Sequence, residues 1–192
     1  MIVIFGGAFN PPTMAHCSMA GHIVKTLGCR KLLFLPVGDL YQKPGLLACA
    51  HRIKMLELLC LELPRCEVSP LEAGHSRVLS TLETCRLIKK AYPKEEVAFV
   101  MGADNLADLP NWFQYEDLLK EFRQIVFKRG DFSVLGLIEG NFFKYRDRFI
   151  LLDPPGGVGH ISSTAYRNHL ENEGMVPSLV SGYIKKHHLY GR

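Results

Sequence analysis

Two stretches combine residue types that can handle a phosphate. The first reads Gly6-Gly-Ala-Phe-Asn-Pro-Pro-Thr-Met-Ala-His16, with two glycines, a stiff Pro11-Pro12 pair and a histidine. Glycines let the backbone turn sharply and bring peptide N–H groups close to a ligand. A histidine at a helix start can donate to a non-bridging phosphate oxygen as charge develops there. The second stretch reads Pro154-Pro-Gly-Gly-Val-Gly-His-Ile-Ser-Ser-Thr-Ala-Tyr-Arg167. Ser162, Ser163 and Thr164 open a helix, where free N–H groups, hydroxyls and the positive dipole end attract an anion, and Arg167 leans back from one turn further on. Plain capping fits the same residues: a helix-capping loop with a satisfied histidine, and serine N-caps beside a solvated arginine.

Two further segments carry chemistry-bearing types. Met101-Gly-Ala-Asp104 follows an apolar run, so Gly102 and Asp104 fall at a strand end, where the acid can hold a ribose hydroxyl, hold a metal-bound water or cap a helix. Trp112, the only tryptophan, lies in the polar, proline-containing Leu109-Pro-Asn-Trp-Phe113. A flat ring could stack on it, or it could belong to the core. Neither a Walker loop, a GxGxxG fingerprint nor a Gly-x-Ser-x-Gly elbow is present, and the seven other histidines lack metal-ligand spacing.

These loops need a scaffold that brings them to one edge. Met1–Phe5 reads as a buried strand entering a glycine turn, and Met19, Ala20, Ile23, Val24 and Leu27 recur at helical spacing before a stop at Gly28. The alternation continues with strands at 31–37, 66–69, 97–101, 124–127 and 149–152. Helices are expected at 51–63, 78–91, 163–172 and 177–188; residues 131–148 give no clear pattern. This order predicts an α/β, doubly wound parallel sheet with helices on both faces, and ligands then sit beyond the carboxyl ends of its strands. At 192 residues and 47% hydrophobic content the chain fits one domain over 1–192, with the closing helices at about 161–192.

The balance of 23 Lys and Arg against 19 Asp and Glu gives a net +4, a mild excess that suits a phosphorylated small molecule without suggesting a nucleic-acid binder, and no charge run of the kind that coats DNA appears. No nucleic-acid or membrane partner is expected, because Gly6-Gly7, Asn10 and Pro11-Pro12 break the uncharged run of residues 1–24 and no basic segment precedes it. Six cysteines without metal or redox spacing imply reduced core thiols in a cytoplasmic protein.

At this point the residues resemble the nucleotidyltransferases that carry an (H/T)xGH loop and an ISSTxxR helix start, matched by Gly6–His16 and Ile161–Arg167. Within that superfamily the chain is similar to the bacterial nicotinate-nucleotide adenylyltransferases over nearly its whole length. The likeness includes Gln42-Lys43, His51-Arg-Ile-Lys-Met55, Ser80-Thr-Leu-Glu-Thr84, Trp112-Phe113, Val176-Pro177, Tyr183-Ile184 and Leu189-Tyr190. The resemblance implies a Rossmann-like sheet and a transfer of AMP from ATP to nicotinate mononucleotide, with Mg2+ accompanying ATP mainly through phosphate oxygens and water. By the same likeness, His16, Lys43 and Arg167 are catalytic, and Gly6, Gly7, Ala8, Phe9, Asn10, Thr13, Gly102, Asp104, Ile161, Ser162, Ser163 and Thr164 bind ATP. Lys43, Thr81, Trp112 and Phe113 would hold the mononucleotide. Three positions depart from the pattern: Thr13 stands where many members have a first histidine, Ala15 where glycine is usual, and Ser80 where tyrosine is common. A nicotinamide mononucleotide enzyme, a shorter phosphopantetheine-type cousin and a non-catalytic nucleotide sensor are the alternatives.

Overall fold

A computed structural model describes residues 1–128, 133–168 and 173–192. The elements follow in the order β1 (Ile2–Gly7), α1 (Met14–Leu27), β2 (Lys31–Pro36), α2 (Cys49–Cys60), β3 (Cys66–Val68), α3 (Thr81–Ala91), β4 (Val97–Gly102) and α4 (Ala103–Asp108). Then come α5 (Tyr115–Glu121), β5 (Arg123–Phe127), α6 (Val134–Asn141), β6 (Phe149–Leu152), α7 (Ser163–Asn168) and α8 (Ser178–Lys186). All six expected strands and five expected helices are present among the described residues, with ends moved by up to three residues. Residues 169–172, part of the helix expected over 163–172, lie outside the described residues, as do 131 and 132 of the unpatterned stretch.

The strands form one parallel sheet in the order β3-β2-β1-β4-β5-β6. This is the doubly wound, Rossmann-like arrangement, and the order reverses between β1 and β4. Alternation of side chains across each strand builds a core on either face. Val3, Phe5, Leu32, Phe34, Ala98 and Val100 point to the face covered by α1, α2 and α8. Ile2, Ile4, Leu33, Leu35, Val97 and Met101 point to the opposite face, where α3, α4, α5 and α6 lie.

Three helices escaped the sequence reading because they are short or weakly patterned. The six residues of α4 begin directly after β4, and seven make up α5, too few for a periodic stripe to stand out. Within the unpatterned stretch lie α6, capped by Ser133 Oγ accepting from Gly136 N–H at 3.1 Å, and a 3-10 turn over Phe143–Arg148.

The expected stop at Gly28 is present in detail. Gly28 caps α1 in the left-handed region (φ 57°), and its N–H donates to the Val24 carbonyl. A Cβ there would meet nothing within 4 Å, so the position selects glycine through backbone conformation alone. Gly28→Ala is therefore expected to lower unfolding free energy by about 1 kcal/mol in urea titrations with an unchanged m-value. An unchanged midpoint would contradict the conformational account.

Candidate active site

The loop after β1 lies at the sheet's reversal point and is held by a buried cation. Arg52, on α2, has no exposed surface, and its guanidinium donates to the carbonyls of Leu47 (2.8 Å), Ala8 (3.0 Å) and Val37 (2.7 Å). Asp39 Oδ1 lies 3.6 Å from Nη2 and also accepts from the Cys49 N–H at 2.6 Å. One planar fork thus fixes the loops leaving β1 and β2. A trans peptide sets its C=O and N–H on opposite sides, so with the Ala8 carbonyl on Arg52 the Phe9 N–H turns away from it. Phe9 adopts a positive φ of 46° and is buried, its ring edge-on to Phe5 and Phe34 and 5.1 Å from the His16 ring.

Asn10 gathers four segments. Its Nδ2 donates to the Gly45 carbonyl (2.8 Å), and its Oδ1 accepts from Leu47 N–H (3.3 Å) and from the Tyr190 hydroxyl (2.8 Å). The Asn10 carbonyl accepts from Arg167 Nη1 at 2.6 Å. Next to it, Ser163 Oγ donates to the Pro11 carbonyl at 2.7 Å. The two phosphate-type stretches of the sequence are therefore bound to each other across more than 150 residues. Ser162 caps α7 by accepting from the Ala165 N–H (3.0 Å), Ile161 N–H donates to the Val158 carbonyl (3.0 Å), and Thr164 Oγ1 accepts from Arg167 Nη2 at 3.4 Å. Exposed Lys43 lies two residues before Gly45, its carbonyl accepting from the Leu46 N–H at 3.2 Å.

His16 is the third residue of α1, half-buried between aromatic rings. The Thr13 backbone N–H donates to its Nδ1 at 3.0 Å, and Thr13 Oγ1 lies 2.8 Å from the same nitrogen. A backbone N–H has no other role, so Nδ1 accepts and the neutral ring carries its proton on Nε2. Burial agrees with this, pushing the His16 pKa down to about 4. The expected phosphate contact through Thr13 does not fit its position: Thr13 is fully buried and its hydroxyl is engaged with His16. The Asn10 amide is likewise consumed by the protein, which leaves the loop backbone as the part able to face a ligand.

A second group of residues lies toward the other sheet face. Gly102 caps the start of α4, and a Cβ on it would collide with Asp104 Oδ1, so the exposed carboxylate folds back over the strand end. Trp112 is half-buried, edge-on to Phe99 at 6.2 Å, with Nε1 donating to Asp108 Oδ2 at 3.2 Å. It joins the rim of the second core rather than its centre. Phe113 is 66% exposed. Thr81 opens α3, so its N–H has no carbonyl inside the helix to meet.

The Ser80 departure also finds a reason. Ser80 caps α3, its Oγ accepting from Glu83 N–H (3.3 Å) while Glu83 Oε2 accepts from Ser80 N–H (2.9 Å). Arg77 pairs with Glu83, and with these bonds it holds the Glu83 carboxyl down at about 2. The residues that the sequence reading left without a role are Arg52 and Tyr190. Arg52 had a signal, an arginine one turn into a helix whose neighbours at spacing 3 and 4, Met55 and Leu56, are apolar.

A parallel sheet with this order, and two phosphate-ready loops joined at its reversal point, define a nucleotide-binding α/β protein. The Cytidylyltransferase-like family profile matches residues 4–169, and the chain belongs to that family of nucleotidyltransferases. Among curated relatives, a probable nicotinate-nucleotide adenylyltransferase of Listeria monocytogenes is 30% identical over 98% of this chain and 96% of its own length. One from Albidiferax ferrireducens is 31% identical, covering 98% and 97%. The nicotinic acid mononucleotide adenylyltransferase of Plasmodium falciparum, solved in complex with NaAD, superposes with a TM-score of 0.81 at 24% identity over 99% of this chain and 97% of that one. This last likeness bears on the fold.

The His16 environment generates a pH test. In the unfolded chain the imidazole binds a proton below its ordinary value of 6.5, whereas in the folded protein it resists protonation down to about 4. The unfolded state therefore takes up the extra proton first, and the native state loses stability as pH falls from 6.5 to 4. Urea unfolding of wild type and His16→Gln at pH 7, 5.5 and 4 should show a steeper loss for wild type; parallel curves would contradict the neutral ring held between its aromatic neighbours.

Proposed function

We propose that the chain transfers AMP from ATP to nicotinate mononucleotide, giving deamido-NAD and pyrophosphate. The observation that carries this reading is the junction of the His16 loop with the Ser163–Arg167 helix start, at the sheet edge where a nucleotide is expected. The names of relatives about 30% identical over nearly the full chain supply the substrate pair.

In the proposed reaction a phosphate oxygen of the mononucleotide attacks the α-phosphorus of ATP in line. The new O–P bond forms as the bond to the β-phosphate oxygen breaks, and the electron pair leaves with pyrophosphate. Such an oxygen is already a nucleophile at neutral pH, so no general base or covalent intermediate is required, and catalysis rests on position and charge. His16 Nε2–H donates to a non-bridging α-phosphate oxygen, where the bond strengthens as charge builds. The remaining donors of Arg167, with the Ser162 and Thr164 hydroxyls and the Ser163 N–H, meet the β- and γ-phosphates, while the Ser163 hydroxyl and the Ile161 N–H, engaged on Pro11 and Val158, hold the helix start in place. Lys43 swings among them from its exposed loop. The Gly6–Asn10 backbone follows the nucleotide, and Gly102 and Asp104 hold the ribose. Thr13 serves by fixing the His16 tautomer.

Mg2+ belongs to this scheme as a companion of the triphosphate. The ion is held mainly by phosphate oxygens and water, with Asp104 the acid that could accept from such a water. Trp112 stacks on the pyridine ring, and the Thr81 and Phe113 N–H groups receive its carboxylate. A cytoplasmic setting is supported by six free thiols; no helix among the described residues is long and apolar enough to cross a membrane.

Purified protein with ATP, Mg2+ and either pyridine mononucleotide, followed by pyrophosphate release, tests the whole reading. Nicotinate mononucleotide should be preferred roughly 5- to 150-fold in kcat/KM, because the amide of its analogue presents an NH2 to a donor that the bound ring shields from water. Equal values would remove the carboxylate pocket, and no release with either would remove the activity. In the same assay His16→Ala should lower kcat by roughly 10²- to 10³-fold with ATP binding little changed, and near-normal kcat would take His16 out of the mechanism.

A further inference from the structure

The stretch after α8 reaches back to the first loop. His188 (φ 51°) and Tyr190 (φ 58°) both adopt the left-handed region, which reverses the chain through the turn Leu189–Gly191. Leu189 is buried in the first core, so the turn is seated rather than loose. The Tyr190 ring stands edge-on to Tyr166 at 6.1 Å, and its hydroxyl donates to Asn10 Oδ1 at 2.8 Å. Arg192 closes the arrangement, its guanidinium 4.1 Å from the Tyr166 ring centre and its Nη2 donating to the Tyr166 carbonyl at 2.9 Å. Tyr166 is the residue before Arg167, whose guanidinium holds the Asn10 carbonyl.

Asn10 is thus gripped from two sides by one assembly. Arg167 holds its carbonyl and Tyr190 its side-chain oxygen, while its NH2 holds the loop that carries Lys43. Two non-glycine residues in left-handed backbone cost conformational energy, and such costs persist where the surroundings over-determine the geometry. Burial pushes the Tyr190 phenol above its ordinary value, so it remains a protonated donor across the neutral range. The hydrogen bond by which Tyr190 meets the site runs to Asn10 Oδ1.

We propose that Tyr190 is a positioning residue for the nucleotidyl transfer: through Asn10 it sets the mutual placement of the His16 loop, Arg167 and the Lys43 loop. The inference rests on the transfer reading given above. Removing the hydroxyl leaves the ring packed on Tyr166 and frees one side of Asn10, so the loops should loosen without loss of the fold. Phosphate groups held about an ångström out of line slow an in-line displacement more than they weaken binding.

The experiment compares wild type with Tyr190→Phe in three measurements. Pyrophosphate release should show kcat reduced roughly 5- to 20-fold with the KM for ATP changed less than threefold. The melting temperature should be nearly unchanged, and hydrogen exchange should quicken at residues 8–13 and 43–47 but not in β4 or β5. A double-mutant cycle supplies the readout that a merely structural role would not move: in an Asn10→Ala background, Tyr190→Phe should have no further effect on kcat. Unchanged kcat in Tyr190→Phe, or equal kcat losses in both backgrounds, would overturn the proposal. A wild-type protein releasing no pyrophosphate would refute the transfer reading; in that event unchanged exchange at 8–13 and 43–47 would still refute the tether and quickened exchange would support it.

Discussion

Everything at the sheet's carboxyl edge depends on satisfying carbonyl oxygens that no strand can pair. Where β1 and β2 end, their chains turn away from each other, and the carbonyls of Ala8, Val37 and Leu47 point into protein rather than water. Left alone, each such group would cost about 1–3 kcal/mol. A single fully buried guanidinium, Arg52, answers all three. Five donors in a rigid plane suit this task, and an ammonium could not span the three directions at once. Its charge is not lost in the interior, because Asp39 stands nearby and the carbonyl dipoles converge on it. With those oxygens turned inward, the neighbouring amide can face the other way, the polarity a phosphate needs.

From that fixed loop the rest follows in layers. Phe9 is driven into left-handed backbone and anchored among aromatic rings, which delivers Asn10 to the place where four segments meet. Thr13 then begins α1 with its own N–H on the His16 ring, so the imidazole is oriented and its tautomer chosen by the same residue. Side-chain chemistry at the site is thereby set by backbone groups, which shift little when neighbouring residues change.

Much of this was legible in the sequence. The strand–helix alternation and the stop at Gly28 were readable because burial on both faces writes continuous apolar runs and glycine marks left-handed backbone. The two phosphate-type loops stood out for the same reason, since tight turns and helix starts restrict residue type. What escaped did so for reasons that spacing cannot carry. Arg52 and Tyr190 act through partners 44 and 180 positions away, and spacing along a chain carries no trace of a contact at such separations. The short α4 and α5 lacked enough turns to display a period. That Thr13 lies buried behind the histidine, its hydroxyl on the ring, was not visible in the sequence, because only the fold sets a side chain's depth.

Joining Asn10 to Arg167 and Tyr190 also has a meaning in time. Contacts spanning 157 and 180 residues cannot form until the later residues have been made. At about 5–20 residues per second on the ribosome, the first loop waits roughly ten to forty seconds for its partners. During that interval the sheet can begin to assemble from β1, β2 and β4, yet the nucleotide edge lacks Arg167 and the segment that steadies Asn10. A nascent chain of this protein thus lacks a finished site until its last segment arrives, and an unfinished or clipped product would lose both the competent nucleotide edge and the part of the first core that Val180, Ile184 and Leu189 supply.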